Sequence, residues 1–131
     1  MPSPEPDRRN VTPRALSDRE QSWVKEILEN HPDWADVDVS GTQVVAECGC
    51  GKCSTVYLHS ARAHNPRLAG TKGYIGRIEI RTHDEFGITV TLDQHDGILS
   101  ELYVDFLDLT DAGDRDPPQT WSEEAHTVTR M

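Results

Sequence analysis

Cys48, Cys50 and Cys53 stand together in the run Cys48-Gly-Cys50-Gly-Lys-Cys53, and the chain has no other cysteine. Thiolates bind soft metals and carry out disulfide exchange, so a cluster of them between glycines has chemical content beyond folding. The spacing from Cys50 to Cys53 is that of a zinc knuckle, in which a tight turn aims two sulfurs at one tetrahedral centre. Cys48 would add a third sulfur from the end of the preceding segment. Zinc then needs a fourth ligand from His59, His64, His83 or His95, with His59 the first candidate. None of these lies in a second Cys-x-x-Cys or in a His-x-x-x-His. A redox dithiol is the second option, although the pair does not open a helix, where the dipole would lower a thiol pKa. In the third, the glycines shape a tight turn and the cysteines pack as small apolar groups. No cofactor is expected, zinc being the one that the cysteines would allow.

Two histidine and carboxylate groupings could do acid–base work: His83-Asp84-Glu85 and Asp93-Gln94-His95-Asp96. Both fall in turns between strands, where Asp, His and Gly also occur for conformational reasons. The stretch from Asp93 to Glu101 departs from the calcium loop of an EF-hand in its ligand spacing. No nucleophile elbow, HExxH or dinucleotide fingerprint is present. Gly70, Gly73 and Gly76 surround Lys72, but the pattern after them lacks the helix a phosphate site requires.

The elements that must position these residues follow from periodicity. Ser17-Asp-Arg-Glu20 forms a capping box, and Trp23, Val24, Ile27 and Leu28 then make one apolar stripe. Asn30-His31-Pro32 stops the segment, because proline disfavours helix in the residue before it. A helix over about 18–30 is predicted. The period then changes to two. Val44, Ala46 and Cys48, then Ser54, Val56 and Leu58, alternate with more polar neighbours. They predict a hairpin with the cysteines at its tip. After a loop over 60–73, Ile78 and Ile80 mark a third strand, and Ile88, Val90 and Leu92 a fourth. Asp96-Gly97 turns the chain into a fifth, where Ser100, Leu102, Val104 and Phe106 share a side.

The resulting expectation is an α+β domain over 17–107, with the N-terminal helix packed on a mainly antiparallel, five-stranded meander. Residues 1–16 are expected as a flexible arm and 108–131 as an acidic, mobile tail, with Trp121 the one tail residue suited to docking back. The apolar fraction of 35% agrees with ends that contribute little to a core.

The formal net charge is −10. In the last stretch Asp108, Asp111, Asp114, Asp116, Glu123 and Glu124 face only Arg115 and Arg130. This balance opposes nucleic-acid binding, which relies on Lys and Arg neutralising phosphates, and favours a basic protein partner. No apolar run is long enough to span a bilayer, and no signal-peptide core is seen, so a reducing cytoplasm is the expected compartment.

The segments Val44-Val-Ala-Glu-Cys-Gly-Cys50, Ser54-Thr-Val56 and Asp96-Gly-Ile-Leu-Ser-Glu-Leu-Tyr103 together resemble a family of small bacterial proteins, mainly actinobacterial, of no known activity. Its members share a Cys-x-Cys hairpin and an Asp-Gly-x-Leu-Ser-like final strand. The resemblance implies a fold for 37–106. It lends no support to a zinc role for Cys53, because Lys52 and Cys53 depart from its pattern. Three function classes stand in order. The first is a non-enzymatic, immunity-like module that binds a protein through its sheet face or loops. The second is a zinc-stabilised protein using Cys48, Cys50, Cys53 and His59. The third is a small enzyme with a cleft near His83 and His95.

Overall fold

The computed structural model describes residues 8–49, 54–60 and 64–131. The one α-helix among these residues, α1 (Asp18–Glu29), begins where the capping box requires. The Glu20 N–H donates to Ser17 Oγ at 3.2 Å, and the Ser17 N–H donates to Glu20 Oε1 at 2.8 Å. Arg14 closes on the same carboxylate with two bonds of 2.8 and 3.1 Å. Burial pushes the Glu20 carboxyl up, but the Arg14 guanidinium and the Ser17 N–H outweigh it and hold the group below its ordinary value.

Among the described residues seven strands form a single antiparallel sheet: β1 (Arg8–Ala15), β2 (Gln43–Cys48), β3 (Val56–His59), β4 (Lys72–Thr82), β5 (Phe86–His95), β6 (Ile98–Asp108) and β7 (Glu123–Arg130). Their order across the sheet is β1-β2-β3-β6-β5-β4-β7. The helix lies on one face. Trp23, Val24, Ile27 and Leu28 meet a layer of Ile75, Ile78 and Ile80 from β4, Ile88, Val90 and Leu92 from β5, and Leu102 and Val104 from β6. Each such side chain contributes on the order of 1.5–3 kcal/mol by leaving water.

The five-stranded sheet expected from the sequence is therefore corrected to seven strands, and the meander to a different order. Both additional strands are edges, formed by residues expected as a flexible arm and a mobile tail. An edge strand has one neighbour and is held by its ladder, so it needs no continuous apolar face. In β1 only Val11 and Arg14 are half-buried, and the strand is anchored by its pairing with β2 and by an Arg9–Glu47 ion pair of 2.9 Å. In β7 only Val128 is half-buried, while six of its residues, Ala125 to Arg130, pair in unbroken register with β4.

The order changes because β3 pairs with β6, not with β4. The connection from β3 to β4 passes the β5–β6 turn and is fastened there. Asn65 is fully buried; its N–H donates to Gly97 O at 2.8 Å and its side chain to Asp33 O at 2.8 Å. The Asp96 N–H reaches Thr71 O at 2.6 Å, and the Gly70 N–H reaches Asp96 Oδ1 at 2.6 Å.

Trp121 docks the C-terminal segment before β7 begins. Its ring stacks on Trp23 at 6.4 Å between centroids and meets Phe106 edge-on at 6.0 Å, with the Arg19 guanidinium 4.3 Å above it. Trp121→Ala should destabilise the protein by about 2 kcal/mol, from lost ring area and ring–ring contact. Urea unfolding followed by circular dichroism measures this, and an unchanged midpoint would mean that the stack holds nothing.

Candidate functional site

Alternation along the strands sends every second side chain to the face opposite α1. One row across that face is Tyr74 on β4, Asp93 on β5, Glu101 on β6 and Tyr57 on β3, each paired with the next. The neighbouring row is Arg77, Thr91 and Tyr103, and the one after it Glu79, Thr89 and Asp105. Tyr74, Arg77, Thr91, Asp93, Glu101 and Tyr103 line a groove of about 560 Å³. Tyr74 (60% exposed), Tyr103 (46%) and, further along β6, Leu107 (59%) are among the most exposed large apolar side chains of the described residues, and all three stand on this face.

Asp93 and Glu101 are direct cross-strand partners. Opposed side chains on antiparallel strands have their Cβ atoms about 5 Å apart, so two like charges there repel. Burial, followed by the Glu101 charge, pushes the Asp93 carboxyl up to about 6. Burial also raises Glu101, and Arg8 on β1 only partly offsets it. Asp93 Oδ1 is buried and accepts no hydrogen bond. The cation of the next row, Arg77, is held by Glu79 at 3.2 Å. The Arg8 guanidinium sits 4.7 Å above the Tyr57 ring at the far end of the row. The groove is thus a negative depression walled by aromatic rings. Such a place exchanges a proton near pH 6, and a cation entering it relieves both the repulsion and the orphaned oxygen.

Cys48 ends β2, half-buried, and its N–H donates to Thr55 O at 3.1 Å. Cys50 and Cys53 lie outside the described residues. His59 does not approach Cys48. It pairs with Gln43 at the opposite end of the β2–β3 ladder, about 16 Å away at the rise of a strand. Among the described residues no group of three or more His, Cys, Asp or Glu is placed to hold a metal ion. His83 and His95 are both exposed and sit at opposite ends of β5, about 30 Å apart, so no cleft contains both.

The sequence left two groupings unmarked. One is the Asp93–Glu101 pair, since spacing along the chain groups Asp93 with His95 and Asp96 and not with a residue of the next strand. The other is His126 on β7, whose ring nitrogens lie 2.6 Å from Glu26 and 3.0 Å from Glu123. Burial lowers the His126 pKa, but the two carboxylates outweigh it and raise the net value.

A second concavity, of about 690 Å³, opens on the other side of the molecule between α1 and the segment 34–43. Leu16, Val24, Leu28, Trp34, Val37 and Val39 make it largely apolar. No helix among the described residues is long and apolar enough to cross a membrane. No protein-family model, curated protein or solved structure matches the chain, so the site stands on its own geometry.

Proposed function

We propose that this chain is a non-enzymatic protein-binding module, an acidic, immunity-like accessory protein that takes a basic segment of its partner on the open face of the sheet. One observation carries the reading: around the half-buried Asp93–Glu101 pair, Tyr74 stands exposed beside Asp93 and Tyr103 beside Glu101, on a face that no helix among the described residues covers. Tyrosines of this kind supply large, stiff contact area and are over-represented among the residues that dominate binding energy. A carboxylate pair between them selects for Arg or Lys, and the net charge of −10 steers such a partner in.

The test is an amide NMR titration with a short arginine peptide of defined sequence, Gly-Arg-Gly-Arg-Gly, at low salt. Shifts should concentrate at residues 74, 91, 93, 101 and 103, and Tyr103→Ala should weaken binding about tenfold. Shifts spread over the acidic surface, or gathered at the loops, would overturn the assignment of this face. The affinity should rise as the pH passes upward through about 6, since Asp93 must lose its proton to pair with a cation.

A further inference from the structure

The two edges of the sheet are built differently. β1 carries Pro13, a register shift between Asn10 and Arg14, and the charges of Arg8, Arg9 and Arg14. These are the devices that stop an edge from pairing with another chain. β7 has neither proline nor glycine, and from Ala125 to Arg130 its register is unbroken. The Met131 N–H donates to Ile75 O at 3.1 Å, which makes Gly76 and Arg130 a non-hydrogen-bonded pair. The peptide groups of Ala125, Thr127 and Thr129 therefore face β4, and those of His126, Val128 and Arg130 face outward. That outward row forms a template for one more strand.

We propose that the strand it takes is β7 of a second copy, antiparallel about a two-fold axis at Thr127. Two-fold pairing opposes residues whose numbers share one even sum, because only then do the outward peptide groups meet. With Thr127 on the axis, Glu124 opposes the partner's Arg130, and Arg130 opposes the partner's Glu124. Thr127 meets its own copy, and Ala125 meets Thr129. Moving the axis to His126 sets Arg130 against Ser122; moving it to Val128 sets Arg130 against His126. Of these three registers only the first pairs opposite charges, and it does so twice. Glu124 is available for it, since it has no partner in the β4 ladder and stands at the limit of ion-pair distance, 4.0 Å, from Arg81. The assembly closes at two copies, because the edges left outside are the two protected β1 strands. The interface is the outer edge of β7, whereas the groove lies on the face of the sheet and adjoins β7 at Met131.

Sedimentation equilibrium of the full chain tests this. A reversible monomer–dimer equilibrium is expected. Glu124→Arg and Arg130→Glu should each weaken it about tenfold by setting like charges opposite one another. An equimolar mixture of those two variants should regain it, as should the double variant. Val128→Pro should abolish it, since that N–H faces outward and the bonds to β4 do not use it. Circular dichroism checks that each variant is folded, and the mixing result does not depend on any one of them. A monomer at every concentration up to about 1 mM overturns the proposal, as does a dimer whose affinity is the same in all variants and mixtures.

Discussion

Gly97→Ala should destabilise the protein by at least about 3 kcal/mol, the largest effect expected of any single methyl group added here. Two independent causes act together. Asp96 and Gly97 have φ of 57° and 79°, the left-handed pair that a two-residue hairpin turn demands. Alanine in that region costs about 1 kcal/mol or somewhat more. A Cβ at Gly97 would also lie 2.2 Å from Asn65 O and 3.0 Å from Asn65 C, which are backbone atoms. Neither can move without breaking the bond from the Asn65 N–H to Gly97 O that ties the β3–β4 connection down. Gly113 is the control. It has φ of 71° and nothing within 4 Å of the added Cβ, so Gly113→Ala should cost only about 1 kcal/mol. Urea midpoints of the two variants separate the clash from the backbone conformation. Equal losses would show that the close contact with Asn65 yields freely.

Asp93→Asn should act in the opposite direction and stabilise the protein at pH 8 by about 1–2 kcal/mol. The folded-state pKa is about 6, above the value near 4 that an aspartate has in an unfolded chain. Below about pH 4 both states hold the proton and Asp93 brings no penalty. Between 4 and 6 the folded state holds a proton that the unfolded state has released, so stability falls as the pH rises. Above 6 the loss is complete. A rise from about 4 to about 6 corresponds to about 3 kcal/mol, reduced here because water reaches part of the side chain and screens it. The advantage of Asn should therefore be present at pH 8 and vanish at pH 4. Denaturant unfolding of both proteins at the two pH values checks it, and a variant less stable than the parent at pH 8 would contradict the cause given for the raised pKa.

The helix was legible because its signals are local: Ser17 and Glu20 cap it, and four apolar residues set its face. Alternation placed the strands now seen as β2, β3, β4, β5 and β6 for the same reason. Edge strands give no such signal. Arg8 to Ala15 holds a proline and three arginines, and Glu123 to Arg130 has one half-buried position, so neither shows a period. The site was hidden by a single residue. An unbroken ladder from His95 and Ile98 would oppose Asp93 to Ser100; the register shift beside Gln94 opposes it to Glu101 instead and sends Leu99 into the core. A bulge of this kind is decided by packing, since Leu99 is fully buried and Ser100 becomes the extra residue. The distance between Cys48 and His59 was equally out of reach, because it depends on hairpin register and not on spacing along the chain.

The central claim is that the Asp93–Glu101 groove seats a cationic side chain of a protein partner. Isothermal titration of the arginine peptide into the parent protein and into the double variant Asp93→Asn/Glu101→Gln, at pH 7.5 and low salt, tests it most directly, because both amides keep the shape of the groove while removing its charge. The expected result is at least a tenfold loss of affinity in a variant that is as stable as the parent or more so. Equal affinity in the two proteins would contradict it.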